Sequence, residues 1–314
     1  YYGKEIHLTD ATTIDALKAV DTAVTKEKPF YLYLAHYAVH APIRPHPPYD
    51  DHYKGKKYAG TNIPIPDVEV SYASMVEGMD ASLGQVLDKL DELKVAENTI
   101  IMFSSDNGGL SYGVRGKTPR NTGRNSHCWP LNAGKGSAYE GGTRVPMIVS
   151  WARPNSENPH QKKIPIAAAS ICDTPNICED YYPTLCNWAG ISDLLAGRED
   201  IDGRDLTADV TGKAPKVTQP FLFHYPHVWG PRGPGYEPHS SIRLGDWKAI
   251  YFYQPQRWEL YNLKDDLGEV KNMAIIHPER LKELSDRMKI EHDRRDAQYP
   301  ANRETKEPEP PLWR

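Results

Sequence analysis

The feature that most constrains this chain is residues 99–109, TIIMFSSDNGG, where a short apolar run stops abruptly at polar residues and two glycines. The run at 99–103 is brief and rich in β-branched residues, which is typical of a strand buried on both faces of a parallel sheet. An acid, Asp106, and an amide, Asn107, come soon after it. Open α/β sheets bind ligands at the carboxyl ends of their strands. The segment therefore predicts a buried strand with a ligand site at its end.

The side chains of Asp106 and Asn107 set the chemistry expected at that site. A carboxylate beside an amide carbonyl offers hard oxygen ligands, which suit Ca²⁺ or Mg²⁺ better than a soft metal. The sequence Asp-Asn-Gly is also strong turn chemistry, and on its own a plain turn is the more frequent outcome. The loops that follow the other predicted strands favour the ligand site.

Helices and strands alternate along the first half of the chain. Hydrophobic spacing predicts, in chain order, a helix at 8–24, a strand at 30–35, a helix at 68–93, a strand at 99–103 and another short buried strand at 145–151. Thr9 or Asp10 is expected to cap the first helix. The strand–helix–strand order is a βαβ unit, which implies parallel pairing with a right-handed crossover.

Several histidines and prolines follow the strand predicted at 30–35. The prolines stiffen this loop and exclude a helix from it. His40 lies a few residues beyond the strand end and is the better candidate for a functional histidine. His46 lies farther along the loop and is interpreted as a solvated loop residue.

A glycine-rich segment at 134–146 precedes the strand predicted at 145–151. Lys135 lies between two glycines, which let the backbone approach a ligand closely while the lysine supplies a positive point charge. The spacing is not that of a P-loop, so nucleotide binding is not indicated. Three loops next to predicted strands therefore carry His40, the pair Asp106 and Asn107, and Lys135.

The texture of the chain changes in its last third. A helix is predicted at 180–190, and the segments that follow are short, aromatic and punctuated by turns, which favours antiparallel hairpins. The predicted elements are strands at 221–225, 241–243, 247–253 and 259–261 and a helix at 278–292. We therefore divide the chain into an α/β domain at 1–212 and a smaller α+β subdomain at 213–314.

Size and composition exclude several classes of function. The chain has 314 residues and a net charge of −4, which gives no basic surface for a nucleic acid. No apolar run approaches the roughly 18 residues of a membrane span. The four cysteines permit two disulfides or buried free thiols, and both alternatives stay open. The 27 prolines and 19 tyrosines favour ordered aromatic loops of the kind that line sugar-like ligand sites.

Taken together, these segments resemble the type I sulfatases of the alkaline phosphatase superfamily. The matching segments, in the family's order, are 30–42, 100–109, 134–151, 180–185 with 201–206, and 240–269. The resemblance implies an α/β fold with an alkaline-phosphatase-like, mostly parallel sheet flanked by helices and a smaller C-terminal antiparallel subdomain. It also implies that Asp106 and Asn107 bind Ca²⁺, with Mg²⁺ as the other candidate, and that His40 and Lys135 contact the sulfate as catalytic residues.

The chain departs from the family at the nucleophile. Sulfatases of this type use a formylglycine made from the Cys or Ser of a Cys/Ser-x-Pro/Ala-x-Arg motif, and neither Cys128, Cys172 nor any other cysteine or serine fits it. The chain also starts at Tyr1 without a methionine. We therefore expect it to correspond to the C-terminal part of a sulfatase, with the formylglycine upstream, and to be inactive by itself.

The resemblance implies a sulfuric ester hydrolase that acts on a sulfated saccharide or an aryl sulfate, in a periplasmic or secreted location. His224 and His227 are predicted to bind substrate, within an aromatic rim formed with Trp229, Arg232 and Tyr236. A folded-back structural loop is the alternative for this segment. Two other functions stay open, a phosphodiesterase or phosphonate hydrolase of the same superfamily and a catalytically silent glycan-binding remnant.

Overall fold

The computed structural model describes residues 3, 5–47, 49–110, 127–213, 217–228 and 235–314. The chain divides into two compact units, of which the first is Tyr1–Phe103 with Ile148–Ala169 and the second is Ser104–Met147 with Ser170–Arg314. These units do not divide the chain at residue 213, so the domains 1–212 and 213–314 stay a prediction.

Two sheets and seven α-helices make up the regular structure of the described residues. The helices are α1 (Leu8–Thr25), α2 (Asp67–Glu92), α3 (Glu140–Thr143), α4 (Pro159–Lys163), α5 (Tyr181–Trp188), α6 (Thr207–Val210) and α7 (Pro278–Arg294). The strands are β1 (Ile100–Ser104), β2 (Met147–Trp151), β3 (Phe221–Tyr225), β4 (His239–Leu244), β5 (Trp247–Phe252) and β6 (Arg257–Asn262).

Helices α1 and α2 form the core of the first unit and confirm the two long helices predicted there. Val20 of α1 belongs to one apolar cluster with Val86 and Leu90 of α2. The N-cap of α1 is His7, whose Nδ1 accepts a hydrogen bond from the backbone N–H of Thr9 at 3.4 Å. The predicted caps Thr9 and Asp10 are therefore wrong, because the helix begins at Leu8 and both residues lie in its first turn.

The segment predicted as a strand at 30–35 is not a strand. Residues 29–37 have no regular secondary structure, and the tyrosines Tyr31 and Tyr33 are exposed. Leu32 and Leu34 instead pack against the core between α1 and α2. The segment therefore packs one side against the helices rather than being buried on both sides in a sheet. The predicted βαβ unit is not formed.

Strands β1 and β2 confirm the two other predicted strands of the first half of the chain, but not their complete burial. They pair in a two-stranded sheet. Every residue of β1 is half-buried, and β2 alternates between exposed and less exposed side chains before the buried Trp151. Such alternation is expected of a sheet covered on one face only.

The second unit contains the four-stranded antiparallel sheet β3–β4–β5–β6, which confirms the hairpins predicted from the sequence. The buried side chains Ile242 of β4, Ala249 of β5 and Leu260 of β6 form a core with Leu284 and Met288 of α7. Successive residues of β5 belong to two different apolar clusters, so this sheet is buried on both faces, and it was the aromatic composition and the turns that predicted its strands. The buried residues of α7 do recur at helical spacing. The helix predicted at 180–190 is likewise confirmed, as α5.

The structure bears on two questions about the cellular environment that composition left open. All four cysteines are free thiols, so neither of the two possible disulfides is formed. Among the described residues, none of the helices combines the length and the apolar character that a membrane span requires.

Candidate active site

The loop that ends β1 and the glycine-rich segment before β2 are locked together. The backbone N–H of Gly108 donates to the carbonyl of Gly142 at 2.9 Å, and the N–H of Lys135 donates to the carbonyl of Gly109 at 3.0 Å. A Cβ atom on Gly108 would lie 1.7 Å from the carbonyl oxygen of Gly141. Only glycine permits this approach, which brings Asn107 and Lys135 to one place although they lie far apart in the sequence.

Asn107 and Lys135 line a cavity of about 440 Å³. Ser137 and Thr143 of the glycine-rich segment continue this wall, while His224, Tyr225 and His239 of the antiparallel sheet form the opposite side. The hydroxyl of Ser137 is buried and makes no hydrogen bond to any described residue, as expected of a group that a ligand would satisfy. The cavity thus joins three of the residues predicted from the sequence, Asn107, Lys135 and His224.

The positive charge of this cavity comes from Lys135. Burial lowers the pKa of His239 to about 4, and burial also lowers the pKa of His224 below its usual value, so both imidazoles are neutral at pH 7. Of the lining side chains that the structure describes, Lys135 is then the one cation. One ammonium among neutral polar groups is suited to an anionic group with several oxygens.

The ring of His224 is held by its own fold. Its Nε2 lies 2.7 Å from the carbonyl oxygen of Gln298 and must donate to it, so its Nδ1, 2.6 Å from Ser240 Oγ, accepts from that hydroxyl. Both ring nitrogens are therefore used within the second unit. The prediction that His224 binds substrate stays a prediction, and it would act through its ring surface.

The other predicted rim residues have different surroundings. His227 is exposed, and its ring lies edge-on to Tyr225 with centroids 4.6 Å apart. Tyr236 is buried in an apolar cluster with Tyr139 and Phe252, so its prediction as a rim residue is wrong: its ring is more stable inside this core than in water. Trp229 and Arg232 lie outside the described residues.

Asp106 and Asn107 are the two residues predicted to bind a hard cation. The Asp106 carboxylate is exposed and has no hydrogen bond or ion pair with the residues described. The amide nitrogen of Asn107 donates to the carbonyl of Gly108 at 2.9 Å, which directs the amide oxygen away from its own backbone. A carboxylate and an amide oxygen on adjacent residues fit Ca²⁺ or Mg²⁺.

His40 belongs to the first unit, whereas Asp106, Asn107 and Lys135 belong to the second. The His40 side chain is exposed, and its Nδ1 lies 2.7 Å from the carbonyl oxygen of Ala41. That nitrogen therefore carries a proton, and Nε2 points away from the hydrogen bond. His40 can donate a proton from Nε2 only as the imidazolium.

His46 is not the solvated residue predicted from the sequence. Its side chain is 1% exposed, and Nε2 donates to the Asp10 carboxylate at 3.1 and 3.2 Å. The proline-rich loop folds back onto α2, where a Cβ on Gly78 would collide with the His46 ring. Sequence spacing carries no signal for this contact.

His7, Asp10 and His46 bring three possible metal-binding atoms within 4.8 Å of one another. The two imidazole rings are stacked, with centroids 3.7 Å apart and planes 12° apart. A metal lies in the plane of each imidazole that binds it, and two nearly parallel stacked rings cannot share one ion. This group is therefore a structural cluster, in which His46 is buried and His7 and Asp10 are partly exposed.

Comparisons with known proteins identify the family of this chain from its sequence. A protein-family profile described as Sulfatase matches residues 3–191, and one described as N-sulphoglucosamine sulphohydrolase, C-terminal, matches residues 133–298. A sulfatase of Formosa agariphila is 31% identical over 295 residues, which is 88% of this chain and 47% of that protein. The human steryl-sulfatase is 32% identical over 246 residues, which is 78% of this chain and 36% of that protein.

A solved structure is similar over most of the chain. The crystal structure of Ps i-CgsB in complex with k-i-k-neocarrahexaose matches with a TM-score of 0.69 and 28% identity, over 92% of this chain and 56% of that one. The chain spans less than half the length of the two sulfatases named above. These matches confirm the resemblance to sulfatases and the predicted α/β, alkaline-phosphatase-like fold class.

Proposed function

This chain belongs to the sulfatase family, and from that premise we propose that the protein, at its natural full length, is a sulfuric ester hydrolase. The observation that carries the proposal is the cavity in which Asn107 and Lys135 meet. Their meeting depends on the contact of Gly108 with Gly141 and Gly142, for which a larger residue leaves no room. A plain turn at Asp-Asn-Gly would not require that contact.

Cleavage of a sulfate ester develops negative charge on the sulfuryl oxygens and on the leaving oxygen, and different residues stabilise each. Lys135 neutralises a sulfuryl oxygen, and its charge is most effective in a cavity whose histidines are neutral. His40, as the imidazolium, donates the Nε2 proton to the leaving oxygen. Ser137 offers its buried hydroxyl to another sulfuryl oxygen.

Two groups would complete this site. Asp106 and Asn107 would hold Ca²⁺, or alternatively Mg²⁺, which when bound polarises the sulfate and stabilises its negative charge. The formylglycine of the family would supply the nucleophile, and we expect it upstream of these 314 residues.

We propose a sulfated saccharide as the substrate, with an aryl sulfate as the alternative. The ring of His227 packed edge-on against Tyr225 gives the cavity an aromatic border of the kind that stacks against sugar rings. The neocarrahexaose in the Ps i-CgsB complex favours a saccharide, whereas the name of the human steryl-sulfatase indicates a steryl sulfate as the substrate of that relative. A periplasmic or secreted location is part of the same proposal.

The test measures hydrolysis by the full-length protein of 4-nitrophenyl sulfate and of sulfated oligosaccharides, the latter as released sulfate. Lys135→Ala should lower kcat/KM by about 10²–10³-fold, as the loss of one group that stabilises a developing oxyanion does elsewhere. Lys162→Ala is the matched control, because Lys162 is exposed on α4 and pairs with Glu157 at the surface.

Two results would overturn the proposal. Faster hydrolysis of a phenylphosphonate monoester or a phosphodiester than of any sulfate ester would identify the other branch of the superfamily. Binding of sulfated oligosaccharides without turnover, in a protein whose upstream sequence lacks the formylglycine motif, would identify a glycan-binding protein.

A further inference from the structure

Lys248 is completely buried and does not line the cavity of Asn107 and Lys135. Lys248 lies on β5, is 1% exposed, and places its Nζ 2.9 Å from Glu140 Oε1 and 3.0 Å from Glu269 Oε1. Both carboxylates are buried too, and Arg243 approaches the other oxygen of Glu140 at 3.6 Å. Removing such charges from water is costly, so this cluster is weak as a source of stability alone.

The cluster fastens the beginning of the glycine-rich helix to the sheet. Glu140 is the first residue of α3, and its backbone N–H donates to Glu269 Oε2 at 2.6 Å. The preceding residue is anchored as well, because the Tyr139 hydroxyl donates to Glu259 Oε2 of β6 at 2.8 Å. Both the backbone and the side chains that lead into α3 are thus held by β5, β6 and the segment after β6.

Gly141 and Gly142, the next two residues, contact the loop that carries Asn107. Gly141 donates its N–H to the carbonyl of Asn132 at 2.8 Å, and the carbonyl of Gly142 accepts from Gly108. Gly108 lies directly against Gly141, with no space for a side chain between them. Any movement of α3 therefore moves the loop that carries Asn107.

Lys248 and Glu140 stay ionised in this cluster although both are buried. Burial works against the charged form of Lys248, but Glu269 and Glu140 outweigh it and raise the pKa of the ammonium. Burial raises the pKa of Glu269 to about 7, and the nearby Glu140 adds to that rise. Burial also opposes ionisation of Glu140, yet Lys248, Arg243 and Arg144 hold its pKa below the usual range. Lys248 stays charged and bound to Glu140.

We propose that Lys248 is a positioning residue of this site: through Glu140 and Glu269 it holds α3 against Gly108 and so sets the places of Asn107 and Lys135. The proposal rests on the proposed function for its catalytic consequence, but the contact itself can be tested without activity.

The variant for the test is Glu140→Gln/Lys248→Met/Glu269→Gln, in the full-length protein, because removing Lys248 alone would leave two carboxylates buried without a cation. The control is Arg204→Met/Asp209→Asn, which removes another half-buried ion pair of the second unit, with Arg204 Nη1 2.6 Å from Asp209. The other hydrogen bonds of Arg204 go to Pro175 and Asp180 and not to the glycine-rich segment.

Hydrogen exchange of the peptide that contains residues 104–110 is the first measurement. The triple variant should exchange at least about 10-fold faster there than the wild type, since the Gly108 N–H loses its fixed acceptor, and the control should not. If the triple variant keeps wild-type protection of this peptide, the proposal is wrong whether or not the protein hydrolyses sulfate esters.

The second measurement is the split between kcat and KM on 4-nitrophenyl sulfate, per folded molecule. We expect kcat to fall by about 10-fold or more with a smaller change in KM, because small displacements of aligned groups mainly affect the transition state. Restoring Lys248 together with Glu140 should recover part of the kcat, and restoring Glu269 as well should recover the rest. Equal loss of kcat in the control would mean a general effect on folding and would overturn the positioning role.

A wild-type protein without sulfatase activity would count against the proposed function, and hydrogen exchange would still decide the role of Lys248.

Discussion

The two regions that carry candidate site residues are held in opposite ways. Lys135 and Asn107 lie in segments interlocked through Gly108, Gly142 and the buried charges behind α3. His40 lies in an exposed loop, and the contacts that hold it are local, from its Nδ1 to the carbonyl of Ala41 and from its N–H to the carbonyl of Tyr37. The comparison teaches that the residues proposed to bind a cation and a sulfate are held by long-range packing, whereas the proposed proton donor is held by its own loop.

The largest effect is expected from His40→Ala, which should separate activity from stability. The kcat of the full-length protein should fall by about 10²–10⁴-fold on a substrate with a poor leaving group, as the loss of a general acid predicts. The free energy of unfolding should change by less than about 0.5 kcal/mol, because the side chain is exposed.

Two readouts check this expectation, the rate on an alkyl sulfate and the urea midpoint. An activated aryl sulfate serves as the internal control, since its leaving group needs no proton and its rate should fall much less. A large shift of the urea midpoint would show that His40 also stabilises the fold, and it would contradict the proposal that only local contacts hold this residue.

The second effect is expected from Gly108→Ala, which should damage stability and activity together. The added Cβ would lie 1.7 Å from the carbonyl oxygen of Gly141, and backbone must move to admit it. We expect a loss of about 3 kcal/mol in the free energy of unfolding, at the upper end for overpacking. Denaturant unfolding measures it.

Gly84→Ala is the matched control for that substitution. A Cβ on Gly84 of α2 meets no atom within 4 Å, so this change should stabilise the helix by about 0.5–1 kcal/mol. Similar behaviour of the two variants would show that Gly108 is not tightly enclosed.

The smallest effect is a pH dependence of stability in the interlocked region. Burial lowers the pKa of His239 to about 4, below the usual value of about 6.5. Between these two pH values His239 is protonated in the unfolded chain and neutral in the folded chain. The stability from neutral His239 is complete above pH 6.5 and is lost as the pH falls through 6.5 to 4, by at most about 3 kcal/mol.

His239→Gln should flatten this slope when urea midpoints are compared between pH 7 and pH 4. His160→Gln on α4 is the control, because His160 is exposed. A slope that His239→Gln leaves intact would assign the pH dependence elsewhere, and His292, whose pKa burial also lowers to about 4, would be the next residue to change.

Local patterns predicted much of the fold, for reasons visible in particular elements. The helices α1, α2 and α7 bury residues at helical spacing, and the strands β3 to β6 are short, aromatic and separated by turns, which are features of the local sequence. The run at 30–35 has the same composition but packs its leucines on helices, and an apolar run alone does not tell a strand from another buried segment.

The candidate site was predictable in part. Asp106, Asn107, Lys135 and His40 stand in motifs that resemble those of a family, and the cavity joins two of them with His224. The environment of each was not predictable: His224 has both ring nitrogens bonded, His46 is buried, and Tyr236 belongs to a core.

The sequence by itself determined most of the longer helices and strands, the family, and the residue types available for binding a cation and a sulfate, because these depend on neighbours in the chain. The tertiary structure alone decided which charged residues lie inside. Lys248, Glu140 and Glu269 are far apart in sequence, and charged residues are exposed by default. Their burial is favourable only because folding brings the three together, and no local pattern records that meeting.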